Sequence, residues 1–382
     1  MNKDFWDFQI SGKTFRIQGA DLTSDCFSVA SVPRPYTVEW DPGLRGIIRH
    51  IKEVLTENPR CFLLVDSAVW KCYFQKENLP LKQVFLMDAE EEKKNIQTVF
   101  DVISRMNDIG FGKADKMMFA GVGITQDIGA FAGCIFKRGI AWEFYPTTLL
   151  SMCDSCIGGK TGINFQRVKN QLALFSAPRR VVICPGFLET LSAGDVRSGY
   201  GEILKLAVTG GKDFADLFAE VDVCGKEKIS GADLKKLIWI ALMVKKAVIE
   251  ADEFELDWRR ALNYGHTVGH AVEVMSGYKI PHGQAVAIGM VAVNQLAVDA
   301  GMLADSEHRK ISRLARTLFD ALPDGILDFS MLEDLLLKDK KTEEDSFVLV
   351  MIRSCGDTLF QKYPKTSLTL EKIKQAIQQA VQ

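Results

Sequence analysis

The chain has 382 residues, with Lys and Arg totalling 47 against 49 Asp and Glu, for a formal net charge of -2. That balance excludes a chain that is basic throughout, as duplex readers and polybasic membrane binders are, because phosphate neutralisation dominates such affinities. Hydrophobic residues make up 47% and charged residues 25%, the proportions of a globular protein, and no apolar run approaches the ~20 residues that span a bilayer. Neither nucleic acid nor a membrane is expected as a partner. The start, MNKDFWDFQIS, has no apolar h-region, so a cytoplasmic location is expected. Nine cysteines are too sparse for a disulfide scaffold and suit a reducing compartment. At ~150 residues per domain the length predicts two domains.

In chain order, Leu44 to Glu57 reads as a helix and Arg60 to Asp66 as a short apolar strand ending in Asp. Gln83 to Met87, Lys116 to Ala120 and Ala141 to Tyr145 are further strands, with helix-length stretches at Asn95 to Asn107 and Ile128 to Phe136. This alternation predicts a parallel α/β sheet over residues 1–185. Such sheets bind ligands at the carboxyl ends of their strands, which directs attention to Asp66 and to the loop after Ala120. The pattern changes near Cys184-Pro185-Gly186. Long helical periodicities follow at Ala232 to Glu250, Gly283 to Gly301 and Leu370 to Val381, with one strand-like run at Ser346 to Ile352. A mostly helical second domain is therefore expected over 186–382.

Gly121-Val-Gly123-Ile-Thr-Gln-Asp127 follows a strand and precedes a helix, the arrangement that lays a pyrophosphate against backbone N–H groups. Gln126 stands where GxGxxG would have its third glycine, so the motif is weak by itself. Gly158-Gly-Lys160-Thr-Gly lacks the spacing of a nucleotide-hydrolysing phosphate loop and is not read as one. Cys153-Asp-Ser-Cys156 has no second CxxC to complete a zinc site and no thioredoxin-like flank.

The histidines carry the most information. Of five in the chain, His266, His270 and His282 fall in one short segment. His266 and His270, at i and i+4, stack on one helix face and suit two ligands of one divalent cation, although an HxxxH pair alone is more often an accident of the surface or core. His282, between Pro281 and Gly283, shifts the balance towards a site. Glu202 and Lys205, at i and i+3 in Gly199-Tyr-Gly-Glu-Ile-Leu-Lys, would by themselves be an ordinary solvated pair. His50 and His308 are assigned no role.

Taken together, Tyr145-Pro-Thr-Thr through Asp154 to Lys160-Thr-Gly, Lys169-Asn170, Glu202-Ile-Leu-Lys205, Asn263-Tyr-Gly-His266-Thr-Val-Gly-His270 and His282-Gly283 resemble 3-dehydroquinate synthase and, more broadly, the sugar phosphate cyclase family. The resemblance implies an N-terminal Rossmann-like NAD-binding α/β domain, a helical metal-binding domain, a zinc or cobalt ion, a sugar phosphate substrate and a homodimer. Carried over position by position, Glu202, His266 and His282 are the implied metal ligands, and His270 is directed instead at the substrate phosphate. Asp66, Glu91, Lys94, Gly123, Asp127, Thr147 and Thr148 match NAD-contacting positions. Asp154, Lys160, Lys205, Lys246, Glu255, Asn263 and His270 are the implied catalytic group. Arg259, Lys169, Asn170 and Lys341 are implied to bind substrate, and Arg138 to reach into the neighbouring subunit's site.

The implied reaction oxidises a secondary alcohol with NAD, eliminates phosphate, returns the hydride and closes a carbocycle by an aldol step. Several positions depart from the family pattern: Val122 in the glycine-rich turn, Val168 before Lys169, Phe254 and Leu256-Asp257-Trp258 before Arg259, and the first ~35 residues, which match nothing recognised. The competing expectations are a cyclase for sedoheptulose 7-phosphate or an amino analogue, an iron-type alcohol dehydrogenase, and a non-catalytic sensor. A histidine at 270 rather than a proline argues against the first, and Glu202-x-x-Lys205 in place of an Asp-x-x-x-His ligand pair against the second.

Overall fold

The structure, a computed structural model, describes residues 3–166, 168–221, 223, 229–337 and 345–382. The chain divides into two compact units, one running from Thr23 to Ser192 and the other combining the residues up to Leu22 with Ala193 to Gln382. The sequence had suggested a break at 185/186 and a first domain beginning at residue 1. The segment up to Leu22 instead belongs with the C-terminal unit, for a reason visible in its pairing. Strand β1 (Phe5–Ile10) pairs in parallel with the strand Asp357–Pro364, Gln9 opposite Asp357, while forming a hairpin with β2 (Lys13–Gln18) and burying Trp6, Phe8 and Ile10 on one face.

The unit from Thr23 to Ser192 contains β3 (Cys26–Val29), β4 (Tyr36–Trp40), helix α1 (Leu44–Glu57), β5 (Phe62–Asp66), β6 (Val84–Met87), α2 (Ile96–Asp108), β7 (Met117–Gly121), α3 (Gly123–Ile135), β8 (Trp142–Pro146), the hairpin β9 (Lys160–Phe165) and β10 (Val168–Phe175), and β11 (Arg180–Ile183). Seven strands form one sheet in the order β3-β4-β11-β8-β7-β5-β6, parallel throughout except for the antiparallel edge strand β3. Strands β5, β7 and β8 are buried at every position, as expected for a parallel sheet covered on both faces. Asn95 caps α2 by accepting from Thr98 N. At Gly129 of α3 an added Cβ would come within 2.7 Å of the Phe119 ring of β7, so this helix lies unusually close to its strand. That close packing is the role the third glycine of a dinucleotide turn would play, and here it falls one turn later than Gln126.

The other unit continues with α4 (Ala193–Gly210), α5 (Gly231–Ala251), α6 (His266–Met275), α7 (His282–Asp299), β12 (Ser346–Ser354), β13 (Asp357–Pro364) and α8 (Ser367–Val381). It is mostly helical, with a four-stranded sheet in the order β12-β13-β1-β2, in which β1 and β13 run parallel. Helix α7 is buried almost from end to end. Its glycines let it approach its neighbours backbone to backbone. A Cβ on Gly283 would run into the Ser198 carbonyl of α4, one on Gly201 into the Gly283 carbonyl, and one on Gly289 into the Gly265 carbonyl at the head of α6. Gly265 itself stands at φ 78°, a conformation that glycine adopts without strain. Among the described residues no helix is long and apolar enough to cross a membrane.

Because backbone atoms cannot yield as a side chain can, Gly283→Ala should destabilise the helical unit by about 1–3 kcal/mol, the cost of overpacking. At ~2–4 °C per kcal/mol for a unit of this size, a thermal scan should show a fall of several degrees. An unchanged midpoint would mean that α4 and α7 are free to separate.

Candidate active site

The glycine contacts decide where the chemistry-bearing side chains of the helical unit go. Glu202 follows Gly201, His266 follows Gly265, His270 follows Gly269 and His282 precedes Gly283, so each donor sits beside a residue fixed by close helix approach. Glu202 is fully buried. One of its oxygens lies 2.5 Å from Lys205 Nζ, and the other lies 3.5 Å from His266 Nε2 and 3.3 Å from His282 Nε2. Beyond these cationic and imidazole neighbours, neither carboxylate oxygen has another hydrogen-bond partner among the described residues. An enclosed carboxylate is costly unless positive charge compensates it, and its placement against an ammonium and two imidazole nitrogens fits a cation between them.

The ring nitrogens of His266, His270 and His282 lie within 4.8 Å of one another. The structure therefore brings together both the HxxxH pair and the Glu202, His266, His282 set. His266 is buried and His270 exposed. His266 Nδ1 sits 3.4 Å from the Tyr264 carbonyl and His282 Nδ1 sits 3.1 Å from Glu273 Oε2. With Nδ1–H donating in each case, Nε2 of both rings is left towards Glu202, the tautomer that a metal needs.

Electrostatics point the same way. Burial opposes ionisation of Glu202, but Lys205 and then His282 outweigh it and hold the carboxyl far below its ordinary range. Burial likewise opposes the His282 imidazolium, while Glu202 and Glu273 raise its pKa to about 10. The pocket already stabilises positive charge at this point, and a divalent cation would take over from the proton. Two or three imidazoles with one carboxylate suit a borderline metal such as zinc or cobalt.

Other predicted residues of this unit lie on neighbouring elements. Arg259 and Asn263 occupy the 3-10 segment Trp258–Asn263. Arg259 is buried, and its guanidinium donates to the Glu253 carbonyl. The loop before it is organised by Asp252, whose carboxylate accepts from the N–H groups of Leu256, Asp257 and Arg259 at 2.8–2.9 Å. Asn263 Nδ2 donates to Glu255 Oε1 at 3.2 Å, with Glu255 at a left-handed φ of 59°. Lys246 forms ion pairs with Asp21 at 3.6 Å and Glu250 at 3.3 Å. Lys341 lies outside the described residues.

The α/β unit holds a second cluster. Asp66 ends β5, caps the following turn through Ala68 N at 2.7 Å, and has its carboxyl pushed up by burial. Lys94, buried, donates to Asn170 Oδ1 at 2.7 Å and pairs with Asp127 at 2.6 Å. Asp127 also accepts from Gly162 N, at 3.3 Å, and Asn164 joins in by donating to Glu91 Oε1 at 2.7 Å and accepting from Asn170 N at 2.9 Å. Lys169 lies 4.0 Å from Glu91. The NAD-type positions Glu91, Lys94 and Asp127 are thus tied to the substrate-type positions Lys169 and Asn170 on the β9–β10 hairpin.

Gly123 opens α3, and the Thr147 N–H donates to the Gly121 carbonyl at 3.0 Å. Thr125 Oγ1 and Thr147 Oγ1 are buried without a hydrogen-bond partner among the described residues. Gln126 reaches across to the 151–155 turn, donating to the Ser155 carbonyl at 3.0 Å and accepting from Ser155 Oγ at 3.3 Å. Thr148 bonds Ser151, at 2.8 Å, and Asp154 lies within the helical turn Ser151–Ser155. Lys160 is exposed at the start of β9, and Arg138 is exposed after α3. Cys153 and Cys156 are buried thiols whose sulfurs donate to backbone carbonyls.

Sequence reasoning missed Glu273, Asn164 and the bridging role of Gln126. For Glu273 a signal was present, since it stands one helical turn after His270. Asn164 carried none, because only the folded hairpin brings it to Glu91.

Against this geometry, comparisons with known proteins agree from several sides. Residues 84–198 match the family model described as 3-dehydroquinate synthase N-terminal, and residues 199–342 the one described as 3-dehydroquinate synthase C-terminal. A curated relative, 3-dehydroquinate synthase from Nitratiruptor sp., is 33% identical over 325 residues, covering 85% of this chain and 90% of its own. Among solved structures, 2-epi-5-epi-valiolone synthase from Streptomyces hygroscopicus subsp. jinggangensis, with NAD+ and Zn2+ bound, is 26% identical at TM-score 0.71 and covers 93% of this chain and 99% of its own. A 2-deoxy-scyllo-inosose synthase complexed with carbaglucose-6-phosphate, NAD+ and Co2+ has the same fold, at TM-score 0.73 and 21% identity, over 92% of this chain and 99% of its own. The chain belongs to the 3-dehydroquinate synthase family.

Proposed function

We propose that this chain is a sugar phosphate cyclase, a phosphate-eliminating carbon–oxygen lyase that converts 3-deoxy-arabino-heptulosonate 7-phosphate to a carbocycle and inorganic phosphate. The observation that carries the reading is the fully buried Glu202 carboxylate enclosed by His266, His282 and Lys205. When bound, NAD would accept and return a hydride, and a divalent cation would lower the pKa of a coordinated alcohol.

The chain's own residues supply the rest. Glu202, His266 and His282 would hold the cation, with Glu273 fixing the ring of His282. Lys205, 2.5 Å from Glu202, offers its amine to an anionic oxygen. Arg259, whose planar fork matches a carboxylate, favours a substrate with both a carboxylate and a phosphate, and exposed His270 is available for the phosphate. In the α/β unit the α3 N-terminus and the Thr147 hydroxyl would receive the cofactor, which Asp127 and Lys94 flank. We read Arg138 as a contact with a second copy of the chain. Lys137 and Arg138 take successive left-handed φ values of 47° and 61°, which project an exposed tip from the end of α3.

Offered each heptose phosphate with NAD and zinc or cobalt, the protein should release inorganic phosphate from the heptulosonate. Release only from sedoheptulose 7-phosphate would replace the preferred substrate, and turnover that survives complete metal removal by a chelator would defeat the mechanism. Metal affinity gives a second check by chelator competition. Glu273→Ala should weaken it about 10–100-fold, as loss of an orienting partner does, and His282→Ala should weaken it more. Equal affinity in all three proteins would remove His282 from the metal site.

A further inference from the structure

The N-terminal hairpin corresponds to nothing in the family pattern read from the sequence, yet it touches two elements that carry implied substrate residues. Along β2 the residues alternate in exposure, so Lys13, Phe15 and Ile17 share the inward face. Lys13 Nζ stands 3.4 Å from the centroid of the Trp258 ring, and the buried Phe15 ring meets the same indole edge-on at 6.3 Å. Trp258 opens the segment Trp258–Asn263 that holds Arg259 and Asn263. From the other side, the Arg260 guanidinium lies 5.1 Å from the Phe360 ring of β13. The short helix Gly19–Thr23 that follows β2 contributes Asp21, 3.6 Å from Lys246.

Trp258 is one of the positions where this chain departs from the family pattern, and it is the residue on which the added hairpin sits. The stretch before it, at Phe254 and Leu256, is substantially exposed at 41% and 75%. That stretch has little packing of its own and depends on Asp252 and on whatever seats Trp258. A cation over an indole face is directional and works at this separation.

We propose that the N-terminal hairpin is a positioning element for the substrate-binding segment: Lys13 and Phe15 seat Trp258 and so hold Arg259 and Asn263, while Asp21 holds Lys246. The role rests on the cyclase reading above, since it is through the substrate that positioning is felt. Lys13 acts through Trp258 and touches no reacting atom.

The test compares wild-type protein, Lys13→Met, which keeps the aliphatic stem, and Lys13→Arg, which keeps the cation. In Lys13→Met the KM for the heptulosonate phosphate should rise about two- to five-fold, the range that loss of one cation–π contact allows. Its kcat and metal affinity should stay within two-fold of wild type, and Lys13→Arg should restore KM. Hydrogen exchange supplies a readout independent of turnover. The amides of Leu256, Asp257 and Arg259, which donate to Asp252, should exchange faster in Lys13→Met and at the wild-type rate in Lys13→Arg. If wild-type protein releases no phosphate from any sugar phosphate, the cyclase reading fails and the exchange comparison alone decides the positioning role. Unchanged exchange in Lys13→Met overturns it, as does turnover with an unchanged KM.

Discussion

The candidate metal site depends on backbone-to-backbone contact between α7 and its neighbours. With no side chain at Gly201, Gly283, Gly265 or Gly289, three helices meet at a separation that alanine would not permit. Every donor of the cluster is within one residue of a glycine in that seam or, for His270, of Gly269, where a Cβ would come within 2.9 Å of Val286. Two long polar side chains on separately mobile helices would lose much of their affinity to disorder. Here the positions of Glu202, His266 and His282 follow from the helix geometry, because close-packed backbones leave little room for adjustment.

The α/β unit solves a similar problem with charge. Lys94 is buried and linked to both Asp127 on α3 and Asn170 on the β9–β10 hairpin. An ammonium in this environment is tolerated only while its partners stay in place. The exposed outer strand β10, which has few apolar contacts to anchor it, is therefore tied to the parallel sheet by the same network that flanks the proposed cofactor place. Asn164 extends that network to Glu91.

How much of this was legible in the sequence follows from where the signal resides. The central strands β5, β6, β7 and β8 were readable as apolar runs bounded by turns, and α1, α2, α5, α7 and α8 as periodic stretches, all to within a few residues. Strands β9 and β10 were not, because a hairpin exposed on one strand lacks the alternation that burial imposes. The allegiance of β1 and β2 was hidden for another reason. A parallel partner at the far end of the chain leaves no local trace. The cluster of histidines was visible as a clustering of a rare residue, but which atoms face one another depends on helix crossings that spacing alone does not encode. Glu273 and Gln126 were passed over because their partners, His282 and Ser155, are defined only once loops and helices have packed.

The pairing of β1 with β13 has a consequence for how the molecule is made. Thr358 Oγ1 reaches the Gln9 carbonyl across a sequence separation of 349 residues. At about 5–20 residues per second of synthesis, the first strand waits on the order of tens of seconds for the neighbour that completes its sheet. The unit from Thr23 to Ser192 is contiguous and can close while the ribosome is still at work, whereas the helical unit must retain its opening hairpin until its last strand emerges. Its apolar face, with Trp6, Phe8 and Ile10, is the surface that a nascent chain would most need shielded in the interval.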